Sequence, residues 1–234
     1  MKRIIKHFKR GTVLDNILKS TLTLLKYNQP YIYYLNTSNR VKYGLSAPRF
    51  AETMWIKATY ETMSLEEKVI KESFGSLRLI ASGEVIESVW PVERARPYMS
   101  KRIKCCIEHW VNGVPWKDTG VYEHIYKEVK SDGVKDGCRN FDDIVRRYDN
   151  LDAIFEQAKI EGSLRLKEGI DPSLYWDKLK DATVHIGPGG EPFLGEYGYH
   201  RFAIAYVLNI PFPAKIGLVH VSALPYLDRY RKQR

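Results

Sequence analysis

The chain has 234 residues, of which 44% are hydrophobic and 28% charged, with a formal net charge of +9 and three cysteines. This length and composition suit one packed domain with embellishments, or a small domain plus a helical one. They exclude a disulfide framework and a low-complexity chain, and no apolar run approaches the length of a membrane span.

The first ten residues hold Lys2, Arg3, Lys6, Lys9 and Arg10 and no acid. They lack the apolar core and small-residue cleavage site of a signal peptide. Cys105 and Cys106 are adjacent and would bridge poorly. The expected compartment is therefore reducing and cytoplasmic. At the other end stand Arg229, Arg231, Lys232 and Arg234. The two ends account for the whole net charge, so residues 11–228 are formally neutral. A nucleic-acid-binding core usually gathers basic charge on one face, and the count gives no support for one. The ends read either as solvated tails or as contacts for nucleic acid, an anionic membrane surface or an acidic partner.

In chain order, Leu14, Ile17, Leu18, Leu22 and Leu25 recur at helical spacing and predict a helix over 13–26. Residues 1–30 thus form a basic helical segment, packed on the domain or lying on a membrane surface. Pro30 ends it, and Tyr31–Leu35 reads as a short strand. A second strand is expected over Met54–Thr59. The Ser64-Leu65-Glu66-Glu67 run reads as a capping box that starts a short helix. Gly83 to Pro91 reads as an irregular strand and turn.

The middle of the chain is predicted helical. Ile103, Ile107 and Trp110 mark a helix over about 100–111, and a second covers about 119–130. Asn140 is a good N-cap for a third helix, where Phe141, Ile144, Tyr148, Leu151, Phe155 and Ala158 keep a clear helical period up to Gly162. Asp171-Pro172 suits the start of a short helix ending near Lys180. Thr183–Gly187, the turn Pro188-Gly189-Gly190 and Glu191–Leu194 read as a β-hairpin. The run from Phe202 to Leu208, closed by Asn209 and Pro211, reads as a helix, and Ala214–Val221 as a β segment.

Between hairpin and helix lies Gly195-Glu196-Tyr197-Gly198-Tyr199-His200-Arg201. At a helix start, free N–H groups and the positive end of the dipole point outward. A histidine and an arginine there oppose the dipole but are well placed to meet a phosphate. Gly198, Tyr199, His200 and Arg201 are therefore the candidate phosphate-binding residues, with His200 also a catalytic candidate. A structural Arg paired with a carboxylate and a His bonded inside the fold is the alternative. Glu196 is the candidate ligand for Mg²⁺, or a general base, since Mg²⁺ usually takes one or two carboxylates plus substrate phosphates. His185 and His220 flank the box, but no spacing supports a zinc motif. His109 and His124 read as helix-surface residues, Cys138 as a small buried hydrophobe, and Trp90, Trp110 and Trp116 as packing residues. No P-loop, Rossmann fingerprint or Ser-His-Asp order is present.

The Gly-Xaa-His-Arg box, entering an Ala-rich helix that leads to a β segment, resembles the signature of the ParB/sulfiredoxin-like superfamily. Further segments resemble that group: Gly44–Glu52, Trp116–Thr119, Gly137-Cys138 and Arg146–Asp152. Together they span roughly 44–221. Two positions depart from the pattern. The usual Asp before the box Gly is Tyr197, and the catalytic Cys of sulfiredoxins is Tyr199, which argues against sulfinic-acid repair. No recognition-helix pattern accompanies the box, which argues against chromosome partition. The resemblance implies an α+β fold, a small mixed-sheet core over 31–97 and 181–228 with a helical insert over 98–180. It implies only broadly a nucleotide chemistry, since members include CTP hydrolases, a free-serine kinase and ATP-using sulfiredoxins. In ParB-like kinases an early-strand Glu acts as base, and Glu52 is the counterpart here. The leading expectation is a phosphotransferase or nucleotidase using ATP or another nucleotide with Mg²⁺ and an acceptor substrate. A ParB-like nucleic-acid-binding protein or nuclease is the alternative, and a non-catalytic partner or membrane-surface module the third.

Overall fold

The computed structural model describes residues 29–74, 82–165, 182–195 and 197–231. The expected helices over 13–26 and 171–180, and most of the basic ends, lie outside these residues. The described chain is a mixed α and β fold built on one mixed, open sheet of seven strands. No helix among the described residues is long and apolar enough to cross a membrane.

The sheet is organised around β7 (Pro211–His220), the longest strand. Phe212, Ala214, Ile216, Leu218 and Val219 are fully buried, as expected of a strand covered on both faces. β5 (Thr183–Ile186) runs parallel to it on one side. On the other side β1 (Thr53–Lys57) pairs antiparallel with its first half, and β3 (Val85–Ile86) pairs parallel with its end. Beyond β5 come β6 (Pro192–Leu194), β2 (Met63–Ser64) and β4 (Arg96–Pro97). The register of β5 on β7 slips after Val184, and His185 occupies the slip. A Cβ at Gly217 would lie 2.4 Å from His185 Nδ1, so only glycine lets the ring lie there. The Leu218 N–H donates to that Nδ1 at 2.9 Å. Burial lowers His185 to about 4, so the ring is neutral.

The helices are α1 (Gln29–Tyr43), α2 (Glu67–Phe74), α3 (Lys101–Asn112), α4 (Val121–Asp132), α5 (Phe141–Glu161), α6 (Tyr199–Leu208) and α7 (Asp228–Arg231). Caps fix their ends: the Ser100 side chain accepts from Ile103 N, and that of Asn140 from Asp143 N at 2.8 Å. Helices α3 to α5 share one continuous core with α6 and the sheet. Ile103, Cys106, Ile125, Ile144 and Tyr148 pack in the same cluster as Phe202, Phe212 and Ile216. A second cluster, with Leu65, Ile70, Trp90, Phe193 and Leu218, lies under α2.

Two local expectations are corrected. Tyr31–Leu35 is not a strand but part of α1. Its β-prone side chains lose to a polar face at helical spacing. Asn36 Oδ1 accepts from Phe50 N at 2.9 Å, and Asn39 Nδ2 donates to Pro48 O at 2.9 Å and Gly83 O at 2.7 Å. Ser64 does not cap α2. It belongs to β2, its hydroxyl donates to Arg96 O at 3.0 Å, and the helix starts at Glu67. Pairing with β4 and β6 takes the residue that the capping box needed.

Candidate functional site

Gly198 sets the start of α6. It sits at φ 98, and a Cβ there would come within 2.4 Å of the Ala182 Cβ. Both the left-handed backbone and the close approach to the segment entering β5 require glycine. The following apolar run, Phe202 to Ala205, is buried and holds α6 against the sheet and α3. The first helical hydrogen bond runs from Phe202 N to Gly198 O at 2.9 Å. No side chain caps the helix, and its positive end faces a cleft of about 1200 Å³.

Gly198, Tyr199, His200 and Arg201 all line this cleft. The opposite walls come from the helical region: Arg102 from α3, His124 and Glu128 from α4, Lys135 to Cys138 from the turn after α4, and Arg146, Arg147, Asn150 and Ile154 from α5. The site is therefore a junction between the box and the predicted insert.

His200 forms part of the floor and is nearly buried. Burial lowers its pKa to about 3, helped by the positive charges of Arg147 and Arg102 and opposed by Asp136. The ring is thus neutral at physiological pH and supplies no cation, contrary to a charge-based role in binding phosphate. The Tyr148 hydroxyl lies 3.2 Å from its Nε2, with the rings edge to face. Tyr199 packs instead of reaching outward: its ring stacks on Tyr98 at 5.0 Å, with the Arg102 guanidinium 5.7 Å away. Tyr98 in turn donates to Tyr197 O at 2.8 Å, which ties the loop before the box to the sheet edge. Arg201 is half-buried, and its Nη2 donates to Arg165 O at 2.6 Å.

Glu52 is not brought to the cleft. Its carboxylate meets Arg231 Nε at 2.8 Å and accepts from Arg49 N at 3.0 Å. Arg231 also donates to Ser46 O at 2.9 Å. This cluster fastens α7 onto the 46–52 loop, so Glu52 holds structure together, and Arg231 is not a solvated tail residue. Glu196 lies outside the described residues.

The charges of the helical wall are mostly paired. Arg102, with only 8% of its surface exposed, meets Glu128 and the Asp136 carboxylate, the latter at 2.9 Å. Lys135 lies 3.8 Å from Glu128, and Arg146 meets Asp143. Asp136 sits at φ 51 in a tight turn closed in both directions between Lys135 and Cys138, the conformation that Asp-Gly pairs favour. Its carbonyl accepts from Arg147 Nη1 at 2.9 Å. Among the described residues no group of three or more His, Cys, Asp or Glu gathers to hold a metal. Glu128, Asp136 and Asp143 are each engaged by a guanidinium, so a magnesium ion between them would have to displace an arginine. The described carboxylates therefore do not fit Mg²⁺.

Arg102, Asp136 and Arg147 line the cleft and Tyr148 contacts His200 beneath it, and sequence reasoning singled out none of the four as candidates. A signal existed on α5: Arg147, Asn150, Leu151 and Ile154 recur at i, i+3, i+4 and i+7, and this second face lines the cleft beside the core face. Compared with known proteins, the chain matches no family model, no curated protein and no solved structure.

Proposed function

We propose that the protein is a nucleotide-dependent phosphotransferase or nucleotidase, with the nucleotide phosphates seated at the start of α6. One observation carries the reading: the Gly198–Arg201 box opens into a cleft of about 1200 Å³ shared with Arg102, Lys135, Arg146 and Arg147. A helix start and several guanidinium groups facing one cavity suit a polyanion. Phosphoryl transfer asks mainly for positioning and charge stabilisation, which these groups supply. The resemblance of the box to the ParB/sulfiredoxin-like superfamily supports the same chemistry and the small-core fold it implies.

The roles differ from the simplest version. His200 acts as a neutral hydrogen-bonding group, so the positive charge at the phosphates comes from arginines and the helix dipole. Arg201 approaches from the box side, its orientation set by the Arg165 carbonyl. The hydroxyl of an acceptor substrate, or water, would enter from the open side of the cleft.

The test is a thermal-shift screen with ATP, CTP, GTP and their diphosphates, with and without Mg²⁺. A ligand that binds the native state raises the melting temperature. The expected result is a nucleotide-dependent rise that Arg201→Ala reduces. No shift with any nucleotide at millimolar concentration, in either buffer, overturns the reading.

A further inference from the structure

Arg147 differs from the other cations of the helical wall. Arg102, Lys135 and Arg146 each meet a carboxylate. Arg147 forms no ion pair among the described residues, although it is half-buried and lines the cleft. One N–H of its Nη1 is spent on the Asp136 carbonyl at 2.9 Å. Its Nε is shut away from solvent without a hydrogen-bond partner. The second N–H of Nη1 and both of Nη2 are left for a ligand. A guanidinium taken partly out of water with its charge uncompensated is costly. An arriving anion would supply the missing partner in a setting where charge-assisted bonds are strong.

We propose that Arg147 is an anion-binding residue of this cleft and that it holds a phosphate group of the ligand from the side opposite the box. The proposal rests on the reading that the cleft takes a phosphorylated ligand. It adds that the helical region supplies half of the binding site, so the ligand is clamped between α5 and α6. The two positions make the clamp possible: α6 is anchored on the sheet by Gly198 and Phe202, while α5 is anchored to it by the Tyr148–His200 contact one residue from Arg147. The Asp136 carbonyl fixes the guanidinium in advance, which lowers the entropy lost on binding.

The test uses the full chain and inorganic pyrophosphate as the probe, followed by titration calorimetry. The variants are Arg147→Ala, Arg147→Gln and Arg201→Ala, each checked for its near-UV spectrum. The expected result is a loss of affinity of roughly tenfold to hundredfold in both Arg147 variants, the scale of one hydrogen bond to a charged group. Unchanged affinity in a folded Arg147 variant overturns the proposal. If Arg147→Ala does not fold, Arg147→Gln carries the test, because it keeps a donor for the Asp136 carbonyl. Failure of both to fold assigns Arg147 to the structure and overturns the proposal too. Loss in Arg201→Ala with full binding in the Arg147 variants keeps the box reading and rejects this one. The reverse pattern keeps Arg147 and rejects the box. No binding by the unaltered chain rejects both.

Discussion

The Tyr148 hydroxyl, on the helical wall, lies 3.2 Å from Nε2 of His200, on the box. Tyr148 is fully buried, and its hydroxyl has no other hydrogen-bond partner among the described residues. The contact joins α5 to α6, and the tautomer of His200 sets which group donates. Tyr148→Phe removes one partner of this bond and leaves a buried ring nitrogen unsatisfied. The expected loss is about 1–3 kcal/mol of stability, read by urea unfolding. A variant as stable as the parent chain would show that the bond is not formed in solution.

The buried histidines give a pH dependence with a defined sign. His200 is lowered to about 3 and His185 to about 4, from an ordinary value of 6.5. Both are neutral when folded and gain protons on unfolding below that value. Their contribution to stability is complete above pH 6.5 and is lost as pH falls toward the folded values. Each adds a slope of about 1.4 kcal/mol per pH unit inside that window. Urea unfolding at pH 7.5, 6 and 5 is expected to show a small fall between the first two values and a steeper one between the last two. His200→Asn should remove about half of the slope, and a flat profile in the unaltered chain contradicts the burial of both rings.

Gly198→Ala tests the geometry at the start of α6. The new methyl would meet the Ala182 Cβ at 2.4 Å on a backbone at φ 98. Strain of about 1–3 kcal/mol is expected from the backbone alone, with further cost from the collision. The variant is expected to unfold at lower urea and to bind nucleotide more weakly, since the helix start moves. Parent-like stability would mean that the chain relaxes around Ala182.

Glu52→Gln separates the structural carboxylate from the cleft. It weakens the pair with Arg231, in which each side chain is only 20% exposed. A loss of about 1–2 kcal/mol is expected, the scale of one charge-assisted bond discounted for partial exposure. Nucleotide affinity of the folded protein should not change. A stable variant that fails in phosphoryl transfer would return Glu52 to a catalytic role.

The sequence shows long-period features well and three-dimensional charge pairing poorly. The α5 stripe through Ile144, Tyr148, Leu151 and Phe155 is legible because burial imposes a helical period on apolar residues. The hairpin before the box is legible because Pro188-Gly189-Gly190 punctuates two apolar runs. Tyr31–Leu35 is misleading, since five β-prone residues carry no period long enough to separate strand from helix. Arg146 and Arg147 are adjacent and chemically identical in the sequence. One meets the Asp143 carboxylate three residues back, while the other reaches the Asp136 carbonyl eleven residues back. A turn of about 100° between neighbours on a helix decides which one finds a carboxylate. Nothing local marks the difference. The pairing of Glu52 is illegible for the same reason, because Arg231 lies far away in sequence and closes on it only in the fold.

Arg201 gives the sharpest test of the phosphate site. Its guanidinium is half-buried at a helix start and is oriented by the Arg165 carbonyl at 2.6 Å. If it meets a phosphate in a partly dry cleft, Arg201→Ala removes a charge-assisted contact worth about 1.5–3 kcal/mol of binding. Arg201→Lys should rescue little, because a point charge does not reproduce the planar fork. Stability should change less than affinity, since relieving a cation at the positive end of a helix offsets the lost bond to Arg165. Calorimetry with the nucleotide found in the screen, and urea unfolding of the same variant, measure both quantities. If affinity holds while stability falls by more than about 1.5 kcal/mol, the scale of an ordinary hydrogen bond, Arg201 is a structural strut and the phosphates do not sit at the box.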